Sequence, residues 1–93
     1  MPSVLIIHEV VDYALWKQAF DAAADLRCAA GEISYDLLRF DDDANKVVHF
    51  SEWTTLDAAR GFFQSAQVAE IRRKAGVREP EFCYLERLER AAL

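Results

Sequence analysis

The hydrophobic pattern of this 93-residue chain switches between strand-like and helix-like segments. Residues Ser3–Val11 are an almost continuous run of β-branched and aliphatic residues, which is typical of a strand with both faces covered. Apolar residues then recur every three or four positions from Tyr13 to Ala29 or Ala30. Gly31 follows and is suited to end a helix. The first third of the chain therefore predicts a strand followed by one continuous helix.

The middle of the chain predicts a hairpin that leads into a second helix. Residues Ile33–Phe40 and Lys46–Trp53 are strand-like, and a polar, aspartate-rich turn joins them. Apolar residues at helical spacing begin at Leu56 and continue until Gly76 closes the helix. Ser65 lies within this pattern and is predicted to break the helix and restart it.

A final strand-like run, Phe82–Leu88, completes the order strand, helix, strand, strand, helix, strand. This order predicts the α+β class and a ferredoxin-like βαββαβ fold, with a four-stranded antiparallel sheet in the order 4-1-3-2. Residues 1–93 are expected to form a single domain, because a second core would not fit. Helices on one face leave the other face of the apolar central strands bare. We therefore expect a second copy of the chain to cover it in a homodimer.

Composition agrees with self-association and argues against several other partners. Hydrophobic residues make up 53% of the chain, slightly above the roughly 45–50% of soluble domains. The net charge is −5 with scattered Lys and Arg, which argues against nucleic acid and anionic membranes. The sequence shows no signal peptide or membrane span, so the expected location is the cytoplasm. It also lacks a glycine-rich phosphate loop, so no nucleotide cofactor is expected.

Two histidines are the main candidates for catalysis. His8 in the first strand and His49 in the third are predicted to lie roughly opposite each other on one face, with Trp53 nearby. Such a pair can serve as acid and base beside an aromatic wall. The alternative is two core histidines that backbone or hydroxyl groups satisfy. No metal site is predicted, because Glu9 and Glu52 point to the opposite face and a third ligand is missing.

Other side chains are predicted to line a pocket for a planar, apolar ligand. If the hairpin pairs Phe40 with Lys46, Tyr35 lies opposite Ser51 on the face of His49 and can orient a phenol or quinone. Aromatic residues on the helices face the sheet, either as core or as pocket wall. The predicted substrate-binding residues are Tyr35, Ser51, Trp53, Trp16, Phe20, Phe62 and Phe63.

These features resemble a known group of proteins. The supporting residues are Trp16-Lys17-x-x-Phe20, Glu52-Trp53 and Ala59-x-x-Phe62-x-x-Ser65. Over residues 3–89 the chain resembles the dimeric α+β barrel superfamily, and within it proteins labelled antibiotic biosynthesis monooxygenase-like. The resemblance implies that two sheets close into one barrel with a pocket in each subunit. It also implies an aromatic or polyketide-like small molecule as ligand.

The resemblance leaves three functions open. The first is a cofactor-independent monooxygenase, with His8 or His49 as the base and Trp53 and Tyr35 positioning the ring. The second is a cyclase or isomerase, because some relatives are polyketide cyclases that use strand histidines. The third is a ligand-binding or structural dimer without catalysis. Haem-degrading relatives carry an axial His where this chain has Phe62, so neither haem nor another cofactor is expected.

Overall fold

The protein, described here over residues 2–93 by a computed structural model, has a four-stranded sheet covered on one face by helices. The strands are β1 (Pro2–Val10), β2 (Glu32–Phe40), β3 (Asp43–Trp53) and β4 (Val77–Glu86), and the helices are α1 (Tyr13–Ala22), α2 (Ala24–Ala30), α3 (Leu56–Phe63) and α4 (Ala66–Lys74). All neighbouring strands are antiparallel, in the order β2-β3-β1-β4. Read from the other edge, this is the predicted order 4-1-3-2, so the α+β class and the ferredoxin-like fold are confirmed. Across residues 2–93, no helix combines the length and apolar character needed to cross a membrane.

Polar side chains cap the N-termini of three of the four helices. The Asp12 carboxylate accepts the Ala14 N–H at 2.9 Å at the start of α1, and the Thr55 hydroxyl accepts the Ala58 N–H at 3.0 Å at the start of α3. Ser65 accepts a backbone N–H at the start of α4. These caps satisfy donors that the first turn leaves free. The predicted interruption of the second helix at Ser65 is therefore confirmed.

The prediction of one continuous first helix is wrong. Ala23 separates α1 from α2 with φ −92° and ψ 6°. Beside it, Nη1 of Arg27 donates a hydrogen bond to the backbone carbonyl of Phe20. In a continuous helix that carbonyl would accept the N–H four residues ahead. Because a distant side chain stabilises the break, no Gly or Pro signals it in the sequence.

The hairpin between β2 and β3 is tighter than predicted. β3 begins at Asp43 rather than Lys46, and Phe40 pairs with Asp43. The predicted pairing of Phe40 with Lys46 is therefore wrong. A register shift next to Phe40 compensates, so that Tyr35 still lies opposite Ser51, as predicted.

Strand β4 spans Val77–Glu86 rather than the predicted Phe82–Leu88. It includes Pro80, which an edge strand tolerates because the outer side of the strand needs no N–H donor. Ile7 pairs with Glu81 whereas Glu9 pairs with Arg78, so β4 carries one extra residue opposite His8. Such a bulge bends a strand locally and is common beside functional sites.

The core lies between the helices and one face of the sheet. Val4, Ile6 and Trp53 are fully buried there and pack with Ala59 and Phe63. A second group of buried residues packs around Trp16 and Phe20 of α1, and it includes Val10, Val47 and Ala75. The alternation along β1 and β3 therefore places one row of side chains under the helices and the other row on the bare face.

Candidate functional site

The candidate site is a cavity of about 60 Å³ between the sheet and the helices. Its walls combine imidazole, aromatic and aliphatic side chains with two arginines. The predicted site residues that line it are His8, His49, Trp16, Phe20, Phe62 and Phe63. The two histidines come from the central strands and the aromatic residues from α1 and α3, so both layers of the fold build the cavity.

The register between β1 and β3 places the two histidines side by side but not opposite each other. His49 pairs with Ile6, and His8 pairs with Val47. The sequence predicted the two histidines roughly opposite each other, and the register offsets them by two residues. Because side chains on a strand alternate with a period of two, a shift of two residues keeps both imidazoles on one face, as predicted, and this is the face that the helices cover.

Two aromatic rings of α1 connect the histidines. The ring centroids of His8 and Trp16 lie 5.4 Å apart, those of Trp16 and Phe20 4.9 Å, and those of Phe20 and His49 5.0 Å. Trp16 and Phe20 are four residues apart, which places them on the same face of the helix. The four rings form a continuous row along the cavity.

A buried charge network orients His49. Glu32 accepts from Arg27 Nε at 2.7 Å through Oε1, and its Oε2 lies 2.8 Å from His49 Nε2. All three side chains are at least nine-tenths buried. An ionised carboxylate can only accept hydrogen bonds, so the imidazole donates from Nε2. In neutral His49, Nδ1 is therefore the nitrogen that can accept a proton.

The Glu32 carboxyl is held in its ionised form. Burial alone would raise its pKa, but the hydrogen bonds and charges of His49 and Arg27 outweigh burial, and the pKa lies below its ordinary value. The guanidinium of Arg27 also stacks on the ring of Phe20, with its central carbon 3.6 Å from the ring centroid. The network therefore ties α2, the start of β2 and the middle of β3 together.

His8 has a different environment from His49. It is 5% exposed, and its Nδ1 has no hydrogen-bond partner among residues 2–93. Burial, together with the nearby charges of His49 and Arg72, lowers the pKa of His8 to about 3. At neutral pH His8 is therefore an uncharged imidazole with one free polar nitrogen.

Arg72 brings an unneutralised positive charge to the same cavity. Its Nη1 is buried without a hydrogen-bond partner in the described part of the chain. The guanidinium lies over the ring of Phe82, 5.0 Å from the centroid. Its neighbours on α4 differ, because Arg73 and Lys74 both form ion pairs with Glu70.

Comparison with known proteins identifies the family. The sequence model described as antibiotic biosynthesis monooxygenase matches residues 14–74, which is most of the chain. The chain belongs to the antibiotic biosynthesis monooxygenase family. A search of curated proteins gives no match.

Solved structures of similar proteins agree with the family fold. One is SnoaB, a cofactor-independent oxygenase from Streptomyces nogalater, with 18% identity, a TM-score of 0.78, and coverage of 96% of this chain and 94% of SnoaB. Another is Rv0793 from Mycobacterium tuberculosis, with 21% identity and a TM-score of 0.68. The match covers 99% of this chain and 100% of Rv0793. At these identities the similarity supports the shared fold.

The segment that matches the monooxygenase family includes most of the cavity. Arg27, Glu32, His49 and Arg72 lie within residues 14–74, whereas His8 precedes them. Within residues 2–93, no group of three His, Cys, Asp or Glu side chains is arranged to hold a metal ion. The polar groups that line the cavity are thus two imidazoles and two guanidiniums.

Three predicted substrate-binding residues lie outside the cavity. Tyr35 is 45% exposed, although its ring contacts those of His49 and Phe20 at 5.8 and 5.1 Å between centroids. Trp53 donates from Nε1 to the Ser51 hydroxyl at 2.8 Å, and both residues are fully buried. Ser51 and Trp53 therefore belong to the core beneath α3, while Tyr35 covers the outer side of His49.

The sequence analysis missed three charged residues of the site. Arg27 lies seven positions after Phe20, which is the same face of a regular helix, and Arg72 lies four positions after the buried Val68. Helical spacing could have placed both beside the sheet. Glu32 directly precedes the second predicted strand and offered no such signal.

Proposed function

We propose that this protein is a cofactor-independent monooxygenase that oxidises a hydroxyaromatic or polyketide-like molecule in the cavity. One observation carries the proposal: two imidazoles with different hydrogen-bond environments share an aromatic cavity. Glu32 orients His49 through a hydrogen bond to Nε2, whereas His8 has no partner at Nδ1 and stays neutral. Two imidazoles with such different hydrogen-bond partners are suited to divide acid–base roles.

The proposed reaction needs no electron donor besides the substrate, and dioxygen is the second substrate. Nδ1 of His49 accepts the proton of the substrate hydroxyl. The anion transfers one electron to dioxygen, and the two radicals join by a carbon–oxygen bond. The peroxide O–O bond then breaks, and the outer oxygen atom leaves as water. One hydrogen of this water is the proton held by His49, and the other is lost from the attacked carbon. The other oxygen remains as a carbonyl, so naphthol plus dioxygen gives naphthoquinone plus water.

Entry of the substrate requires the helices to separate. The cavity of about 60 Å³ is smaller than the roughly 300–1,000 Å³ of typical ligand sites. A groove of about 440 Å³ lies outside it, between α1 and α4. The two spaces share the side chains of Ala19, Ala23, Ile71 and Ala75. This thin wall is the proposed route for a ring to reach the histidines.

Oxygen consumption with naphthol tests the proposal. We expect the purified protein, with no cofactor added, to consume one dioxygen per naphthoquinone formed, and the double substitution of His8 and His49 by Ala to abolish the catalysed rate. An unchanged rate in the double variant would refute the proposal. Turnover of a polyketide-like substrate without oxygen uptake would instead favour the cyclase.

We also propose that the active protein is a homodimer formed by the bare sheet face. Leu5 pairs with Phe50 and Ile7 pairs with Val48 on this face, and all four are only partly buried. Glu52 on the same face pairs with Arg87 at 2.5 Å, so a carboxylate there is already neutralised. A largely apolar sheet face of this kind is typical of an interface between subunits.

A charge at the centre of the bare face should separate the subunits. We expect wild-type protein to be dimeric by light scattering at micromolar concentration and Leu5→Lys to be monomeric, because the interface would bury an unpaired charge. Leu26→Lys is the matched control, since Leu26 lies on α2 and is 37% exposed. A monomeric wild type, or equal dissociation of the two variants, would contradict the dimer.

A further inference from the structure

Two residues that line the same cavity each carry an unsatisfied polar atom. Nδ1 of His8 and Nη1 of Arg72 are the two buried side-chain atoms without a hydrogen-bond partner among residues 2–93. Both residues line the cavity. A buried polar group without a partner is costly, and a single acceptor between these two residues could satisfy both atoms.

The charge balance of the cavity points to an anion. The charge of Arg27 is compensated by Glu32, which also bonds His49. Arg72 has no carboxylate within ion-pair distance in the described part of the chain, and its guanidinium lies over the ring of Phe82. A positive charge therefore remains uncompensated beside His8.

We infer that His8 and Arg72 form an oxyanion subsite that binds the ionised hydroxyl of an acidic phenol or enol. This inference rests on the proposed function and names the form in which the substrate is bound. Arg72 supplies the charge, and neutral His8 donates Nδ1–H to the same oxygen. The ring would lie among Trp16, Phe62 and Phe63, which line the cavity.

The subsite explains how an anion can form inside an apolar cavity. Desolvation raises the free energy of a phenolate, and a preorganised cation and hydrogen-bond donor offset that cost. The anion is also the species that reacts with dioxygen in the proposed mechanism. Binding and activation would thus use the same two side chains, while His49 receives the proton.

Binding of para-nitrophenol tests the subsite without requiring turnover. Its phenolate absorbs visible light, so the ionisation of bound and free probe can be compared, and nitrobenzene serves as the neutral analogue. We expect saturable binding of the phenolate, a lower pKa for the bound probe than for the free probe, and weaker binding of nitrobenzene. Absence of saturable binding, or equal affinity for both probes, would overturn the inference.

Two arginines on the same helix provide a matched pair of variants. We expect Arg72→Gln to weaken phenolate binding about tenfold or more, because a charge-assisted hydrogen bond is lost. Arg73→Gln removes an exposed arginine that pairs with Glu70 and should leave phenolate affinity unchanged. Equal losses would mean that only the general positive charge of α4 matters and would overturn the subsite. If Arg72→Gln does not fold, Arg72→Lys retains the charge, and retained preference for phenolate over nitrobenzene is then expected.

The outcomes separate this inference from the proposed function. Phenolate binding that depends on Arg72, without oxygen uptake from naphthol, supports the subsite and contradicts the monooxygenase. Oxygen uptake by a protein that does not prefer phenolate over nitrobenzene contradicts the subsite and leaves the monooxygenase supported.

Discussion

Glu32→Gln is expected to lower the free energy of unfolding by about 3–5 kcal/mol, because removing the charge of one partner of a buried ion pair leaves the other charge uncompensated. Arg27 would keep its buried guanidinium with one neutral acceptor in place of a carboxylate, and His49 would lose the group that fixes its tautomer. Urea denaturation at neutral pH measures the change. A loss of this size is a large part of the roughly 5–15 kcal/mol that stabilises a typical domain.

An exposed glutamate on α4 gives the control for Glu32. Glu70 also pairs with an arginine, since its Oε1 lies 2.5 Å from Arg73 Nη2, but its side chain is 47% exposed. Water can replace that partner, so Glu70→Gln should move the denaturation midpoint only slightly. If the two variants lose the same stability, the buried network does not stabilise the fold and the prediction is wrong.

The stability added by Glu32 should depend on pH with a definite sign. The pKa of this carboxyl is lower in the folded protein than its ordinary value of 4.5. The stabilisation is therefore fully present above the ordinary value and is lost as pH falls through the lower, folded-state pKa. The difference in unfolding free energy between wild type and Glu32→Gln should shrink on acidification below about pH 4.5. A constant or growing difference would mean that the carboxyl is not ionised in the network.

The sequence predicted the sheet well because alternation along strands is a local property. The pattern Val4, Ile6, His8 on β1 determines which side chains share a face whatever the pairing, and the structure buries all three. The exact register was not predictable in this way. It depends on the hairpin and the crossover, and it places His49 opposite Ile6 rather than His8. The two histidines still meet on one face because the error was an even number of residues.

The charged part of the site was less predictable for a physical reason. Arg27 and Glu32 would each be expected on the surface, since burying either one alone is costly. They are buried because they neutralise each other and because Glu32 also bonds His49. Their burial is therefore a cooperative property of three residues. The break at Ala23 has the same origin, because Arg27 binds the carbonyl of Phe20. Such effects require the tertiary structure.

The network also gives the two histidines different surroundings. His49 shares a hydrogen bond with an ionised carboxylate, which leaves Nδ1 as the acceptor of the neutral ring, and the proposed mechanism uses this nitrogen as the base. His8 has a pKa of about 3, so accepting a proton from a weakly acidic hydroxyl would be unfavourable. In the proposed mechanism, His8 instead serves as a neutral donor that holds the anion. Sequence position alone could not make this distinction.

His49→Gln is therefore expected to reduce kcat for naphthol oxidation by about 100-fold to 10,000-fold, the usual contribution of a positioned base. The Gln amide can still donate to Glu32, so the fold should be retained, which a thermal denaturation curve checks.

His8→Gln should reduce kcat less, by about tenfold, because it removes one hydrogen bond to the anion. Its larger effect should be weaker binding of para-nitrophenolate. His49→Gln should leave that binding unchanged. If His8→Gln lowers kcat more than His49→Gln does, the roles of base and anion donor are reversed, even though Glu32 orients His49.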